Sequence, residues 1–142
     1  RECVNHRTSA DLVADVAAAC PNGVDLFIDN TAGSIHDAAM LNLNTFGRVV
    51  VVGTVALADR FDQPDIGLRH LRKTLIARAR IEGFLLDDHE SEFETAKADL
   101  LSWFKQGLFE TREDVIEGIE AVPYAFVRMM NGENFGKQLV KL

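Results

Sequence analysis

Gly47-Arg48-Val49-Val50-Val51-Val52-Gly53 is the stretch that decides the fold. Its four consecutive valines show no polar alternation, and β-branched side chains suit a pleated surface, so the run reads as a strand buried on both faces. Strands of that kind lie at the centre of parallel sheets covered by helices. Parallel neighbours need a crossover, and the upstream residues supply one. Val24-Asp25-Leu26-Phe27-Ile28 is a short apolar β-type run, and Ser34 to Leu43 has the length and pattern of the connecting helix. The three pieces make a βαβ unit.

Upstream, Thr8, Ser9 and Asp11 give a capping signal ahead of Leu12, Val13, Val16, Ala17 and Cys20 at helical spacing, and Pro21-Asn22-Gly23 stops that helix. Downstream, Thr54 to Ile66 has no period and reads as an exposed loop. Leu68, Leu71, Leu75 and Ile76 then mark a helix, and Arg80 to Leu86 a third strand. Asp87-Asp88-His89-Glu90 is read as the charged opening of a long helix with Phe93, Ala96, Leu100, Phe104 and Leu108 on one face, ending near Gly107. Glu110 to Glu117 reads as a strand or extended segment. A helix from Ile119 to Met130 carries Pro123 in its first turns, where proline is best tolerated, and Gly136 to Leu142 closes the chain as an alternating edge strand. The expected fold class is α/β: a Rossmann-like, doubly wound, mostly parallel sheet.

Composition narrows the function. The 142 residues are 47% hydrophobic, enough for a core, and 15 basic against 22 acidic residues leave a net charge of −7 with no basic stripe, which argues against nucleic acid as a partner. No apolar run approaches the roughly 20 residues that span a bilayer, and Arg1-Glu2-Cys3-Val4 has no signal-peptide character, so no membrane partner is expected and the chain reads as cytoplasmic. Cys3 and Cys20 are too few for a disulfide framework and fit a reducing compartment. His36, His70 and His89 are scattered along the sequence without metal-ligand spacing, so no metal is implied. Neither G-x-S-x-G nor a Walker A motif occurs, which removes the support for hydrolase and kinase readings.

Five segments in order resemble one family. Val24-Asp25-Leu26-Phe27-Ile28-Asp29-Asn30-Thr31-Ala32-Gly33 is similar to the "VD-hydrophobic-Asp-Asn-x-Gly-Gly" turn of the prostaglandin reductase and curcumin reductase group, NADPH-dependent alkenal/one reductases of the zinc-independent medium-chain dehydrogenase/reductase type. The Gly47 to Gly53 run resembles that family's next strand, Arg80 to Leu85 its "R-(M/I)-E-G-F-L" strand, Arg112 to Gly118 its "REDVVEG" segment, and Asn131 to Lys137 its closing "G-x-N-x-G-K". The resemblance implies NADP(H) as cofactor and a nucleotide-binding domain inserted in a GroES-like catalytic domain. On that pattern residues 1–109 are part of the nucleotide-binding domain, lacking its first two strands, and residues 110–142 return to the catalytic domain. Glu2 to Asn5 would be the third strand. This sequence contains no G-x-G, and the Gly-rich phosphate turn is expected upstream of Arg1.

Each candidate site residue has two readings. Asn30 follows a strand at its carboxyl end, where open α/β sheets bind ligands, and the family's matching residue touches the nucleotide; alternatively it shapes an Asx turn. Val52, Gly53 and Thr54, and Phe84, Leu85 and Leu86, end the next two strands. By resemblance they face the nicotinamide carboxamide, and otherwise they are ordinary strand ends. His6 and Arg7 replace a Tyr and a Lys that lie near the adenosine 2′-phosphate, or are solvated surface groups. Asn134 matches a residue on the nicotinamide side, or forms a turn. The loop after Gly53 lacks the family's Tyr: Phe61 is its aromatic, and Arg60 or Asp59 would offer a different geometry. No catalytic residue is therefore assigned. The expected function is a fragment or truncated homologue of an NADPH-dependent reductase of α,β-unsaturated ketones and aldehydes, inactive alone and binding NADP(H) weakly. Unpaired edges at the Val24 strand and the closing strand point to a homo-oligomer, a dimer. The rival reading is a non-catalytic α/β binding or assembly module.

Overall fold

The computed structural model describes residues 2–58 and 62–142; the loop groups Asp59, Arg60 and Phe61 lie outside the described residues. The chain divides into two compact units, residues 1–88 and 89–142.

The first unit is the expected βαβ core extended by one strand. Helix α1 (Leu12–Ala19) leads to β1 (Val24–Asp29), then α2 (Gly33–Leu41), β2 (Leu43–Val51), α3 (Leu71–Ala77) and β3 (Arg80–Gly83). The cap of α1 is Asp11, whose Oδ1 accepts from the Ala14 amide at 3.0 Å, while the Ser9 hydroxyl bonds Asp15. The sheet order is β1-β2-β3, all parallel, so the valine run is the central strand.

Register explains what is buried. Phe27 pairs with Val49 and Asp29 with Val51, on the face that carries the core of Met40, Leu43 and Val49 with Val24, Phe27, Val51 and Ala79 packed around it. Burial of the valines on both faces is not what the structure shows. Val49 is 1% exposed, but Val52 is 39% exposed, and the opposite face of β1 leaves Leu26 and Ile28 more than half exposed. An apolar run is buried on both faces only where layers cover both sides, and the helices of this unit pack on one.

Glu2 to Asn5 is not a strand. It has no hydrogen-bonded neighbour in the sheet, and Asn5 instead begins a turn, its side-chain oxygen accepting from the Arg7 amide at 3.0 Å and its carbonyl from Thr8 and Ser9. Extended backbone without a ladder partner is better satisfied by local turns.

The second unit holds α4 (Phe93–Lys105), β4 (Glu113–Glu117), α5 (Val122–Met130) and β5 (Lys137–Lys141). The long helix expected from Asp87 begins later. Leu86–Glu92 is a 3₁₀ segment broken at His89 (φ −116°, ψ 23°), and Asp87, Asp88, His89 and Ser91 within it are weaker helix formers. Strands β4 and β5 form a parallel pair that sets Glu113 beside Lys137 and Glu117 beside Lys141. Pro123 sits in the first turn of α5, and Ala125 is the buried residue of that helix. Asp114 ties β4 to α5 and to the segment before β5. It faces both guanidinium nitrogens of Arg128 at 3.3 Å and accepts the Phe135 amide at 3.1 Å, and together these bonds outweigh burial and lower its pKa.

Candidate functional site

Because the strands are parallel, the carboxyl ends of β1, β2 and β3 all reach one edge of the sheet, and the chain leaves each of them in a loop. This is where side chains and free backbone can meet a ligand without competing with the ladder. A cleft of about 450 Å³ opens there, lined by Val51, Val52, Gly53, Thr54, Gly83, Phe84, Leu85 and Asp88. Five of the residues singled out from sequence therefore come together: Val52, Gly53, Thr54, Phe84 and Leu85. Leu86 lies beyond the lining, opening the 3₁₀ segment, and Asn30 stands on the neighbouring turn.

The turn after β1 is built by a residue that the sequence reading passed over. Asp29 is fully buried at the strand end. Its Oδ1 accepts from the amides of Thr31 and Ala32, both at 2.9 Å, and from the Thr31 hydroxyl at 3.2 Å. Its Oδ2 meets Nδ1 of His36 at 2.8 Å. Burial alone would raise the carboxyl's pKa, but the Ala32 and Thr31 amides and His36 outweigh it, so the group is held below the usual aspartate value. The bend is thus shaped by Asp29. Asn30 itself is exposed, and its side-chain amide has no hydrogen-bond partner among the described residues. The Asx-turn role considered for Asn30 belongs to its neighbour.

Main-chain contacts lock this turn to the exit of β2. The amides of Val52 and Gly53 both donate to the Asp29 carbonyl, at 2.7 and 3.1 Å, and Ala56 donates to Thr31 at 2.9 Å. A Cβ on Gly53 would lie 3.0 Å from the Asn30 carbonyl oxygen, so glycine is what lets the two exits approach so closely. Ala32 is under conformational strain, with φ 62° and ψ −159°, a region that glycine alone occupies comfortably. It stands where the resembled pattern has its first glycine.

The remaining candidates lie elsewhere. His6 and Arg7 are exposed on the turn after Asn5 and do not line the cleft. Asn134 belongs to the second unit, where its side-chain amide donates to the Gly136 carbonyl at 2.8 Å, the geometry of a turn-forming residue. The histidines read as scattered are not all apart: the rings of His36 and His70 are 5.7 Å apart between centroids. No spacing rule links positions 36 and 70, so only the packing of α2 against the start of α3 reveals the pair. Among the described residues, no group of three or more His, Cys, Asp or Glu side chains is placed to hold a metal ion. Among the described residues, no helix is long and apolar enough to cross a membrane.

Comparison with known proteins gives the site its context. The family model described as zinc-binding dehydrogenase matches residues 1–140. The chain is 32% identical to prostaglandin reductase 1 of Mus musculus, over 96% of this chain and 42% of that protein. It is 29% identical to the NADPH-dependent curcumin reductase of Escherichia coli (strain K12), over 99% of this chain and 41% of the relative. The crystal structure of CurA from Vibrio vulnificus in complex with NADPH superimposes with a TM-score of 0.86 at 32% identity, covering 99% of this chain and 42% of that one. The chain thus spans about two fifths of the length of these relatives, corresponding to their C-terminal part.

Proposed function

We propose that this chain, which belongs to the zinc-binding dehydrogenase family, forms the nicotinamide-facing side of an NADP(H) site in an enzyme that reduces the C=C bond of α,β-unsaturated ketones and aldehydes. The observation that carries the reading is the cleft at the carboxyl ends of β2 and β3, with the exposed Asn30 amide on the neighbouring turn after β1. The residues fit the ring end of the cofactor. Gly53 brings backbone close, Val52 and Phe84 offer apolar surface, and an amide such as that of Asn30 can both donate and accept. When bound, NADPH would supply the hydride.

The pyrophosphate end finds less. Phosphates are held by helix N-termini behind Gly-rich turns, and this sequence has no G-x-G. His6 and Arg7 are the cationic or ionisable pair proposed for the 2′-phosphate, and Asn134 for the nicotinamide side, each as a residue of a completed site. Residues 1–109 are proposed as part of the nucleotide-binding domain and 110–142 as the segment that returns to a catalytic domain. Alone, the chain binds NADP(H) weakly and does not turn over substrate, because hydride transfer needs reacting atoms held about 3–3.5 Å apart by walls on both sides. The proposed setting is the cytoplasm, and the proposed assembly a homodimer.

Titrating NADPH fluorescence with the purified chain, followed by NADPH consumption against a panel of alkenals and alkenones, tests the reading. Weak binding further reduced by Asn30→Ala, with no turnover, is expected. Micromolar binding with turnover abolished by Asn30→Ala would overturn the inactive-fragment part, and binding indifferent to both Asn30→Ala and Gly53→Ala would overturn the site.

A further inference from the structure

Asp29, His36, His70 and Asp37 come from β1, α2 and the residue before α3, yet they form one continuous chain of side chains. The Asp29 carboxylate, 1% exposed, holds the Thr31 and Ala32 amides with one oxygen and takes Nδ1 of His36 with the other at 2.8 Å. The His36 ring packs against Phe27 at 6.4 Å and against His70 at 5.7 Å. Nε2 of His70, on a side chain only 5% exposed, meets Oδ1 of Asp37 at 2.7 Å. Each imidazole therefore has one nitrogen committed to a carboxylate, which fixes the orientation of its ring.

His70 also ends the loop that begins at the exit of β2, and it stands in the left-handed region at φ 51° immediately before α3. A non-glycine residue stays in that conformation where its surroundings over-determine it, and here those surroundings are the Asp37 hydrogen bond and the His36 ring. The near end of the same loop is tied to the Asn30 turn by the Val55 and Ala56 amides. Both ends of the loop after β2 thus connect to one turn, the near end through backbone and the far end through the two histidines.

We propose that His36 and His70 are positioning residues that hold the Asn30 turn in register with the loop after β2. The proposal rests on the reading of that edge as the nicotinamide side of the site. Neither histidine touches the cofactor; they act through Asp29. Displacing the His70 ring loosens His36, and loosening His36 removes a donor from Asp29. The turn held by the Thr31 and Ala32 amides then opens more often.

The experiment uses the whole chain and four variants. His36→Asn keeps a donor where Nδ1 stood and His70→Gln one where Nε2 stood, whereas His36→Leu and His70→Leu keep bulk without a donor. Amide exchange at Thr31 and Ala32, measured by NMR without nucleotide, should quicken about tenfold in each leucine variant and stay within about twofold of the parent in the amide variants. The double leucine variant should exchange no faster than the faster single, since both lie on one chain of contacts. NADPH affinity should follow the same order. Unchanged exchange at Thr31 and Ala32 in His70→Leu overturns the proposal, whatever the nucleotide does. If exchange responds as expected while the parent chain shows no NADPH binding, the positioning role stands and the cofactor reading falls. Should a leucine variant lose its folded spectrum, Asp37→Ala, which removes the carboxylate of His70, carries the same test with the same two outcomes.

Discussion

Replacing Ala32 by glycine is expected to stabilise the first unit, against the general rule that glycine weakens a structure. The residue sits at φ 62°, ψ −159° between the buried Asp29 and the start of α2, so its Cβ is forced into backbone space open essentially to glycine. Strain of this kind costs on the order of 1–3 kcal/mol, and the Asp29 hydrogen bonds that hold the turn keep the residue from relaxing out of it. Glycine removes the strain but gives the unfolded chain more freedom, which offsets about 0.4–1 kcal/mol. The net gain is about 1 kcal/mol, a rise in Tm of roughly 3 °C for a chain of this size. Gly33→Ala is the matched control. Gly33 has φ 61° and its added Cβ would meet the Ala56 methyl at an ordinary 3.4 Å, so any loss there, about 1 kcal/mol, comes from backbone conformation and not from a clash. Urea unfolding followed by circular dichroism, with m unchanged, reads both variants. An Ala32→Gly chain that is no more stable than its parent would refute the strain argument, and a stabilising Gly33→Ala would refute it twice over.

Gly53→Ala should cost about 1–3 kcal/mol through overpacking against the Asn30 carbonyl, visible as a lowered urea midpoint, and an effect under about 0.5 kcal/mol would mean that the two strand exits are not so tightly locked. Asp29 has its pKa lowered in the folded chain, so its stabilisation is present above the ordinary aspartate value and is lost as the pH falls through the lower folded value. Asp29→Asn should therefore be less stable at neutral pH yet show a flatter stability curve in the acid range, measured by urea midpoints from pH 6 down to about pH 2.5. Asp114 is shifted in the same direction, by the Phe135 amide first and Arg128 next, and Arg128→Met should free the Phe135 amide to exchange faster without altering exchange at Thr31. Among the described residues the outer edge of β1 has no strand partner, and the proposed homodimer predicts a mass that rises with concentration in light scattering, whereas a concentration-independent monomer would exclude it.

What the sequence determined by itself were the features written in local periodicity. Unalternating valines at positions 49 to 52 specify a strand inside a parallel sheet because β-branched apolar side chains suit a covered pleated surface, and the crossover helix, expected over Ser34 to Leu43 and found at Gly33–Leu41, follows from the need to cross over. The strand ends that carry Val52, Gly53, Thr54, Phe84 and Leu85 were legible for the same reason, since parallel strands bring like ends together. Periodicity says nothing about whether a layer lies over a given face, so the exposure of Leu26 and Ile28 could not be read from it, nor the failure of Glu2 to Asn5 to pair. The turn after β1 needed coordinates too. Asp29 and Asn30 are adjacent polar residues with the same turn chemistry, and only the direction in which the strand's pleat aims each side chain decided that Asp29 is buried as the turn's anchor and Asn30 left free. His36 and His70, 34 positions apart, meet because α2 and the start of α3 lie on the same face of the sheet, a coincidence of packing that no spacing along the chain encodes.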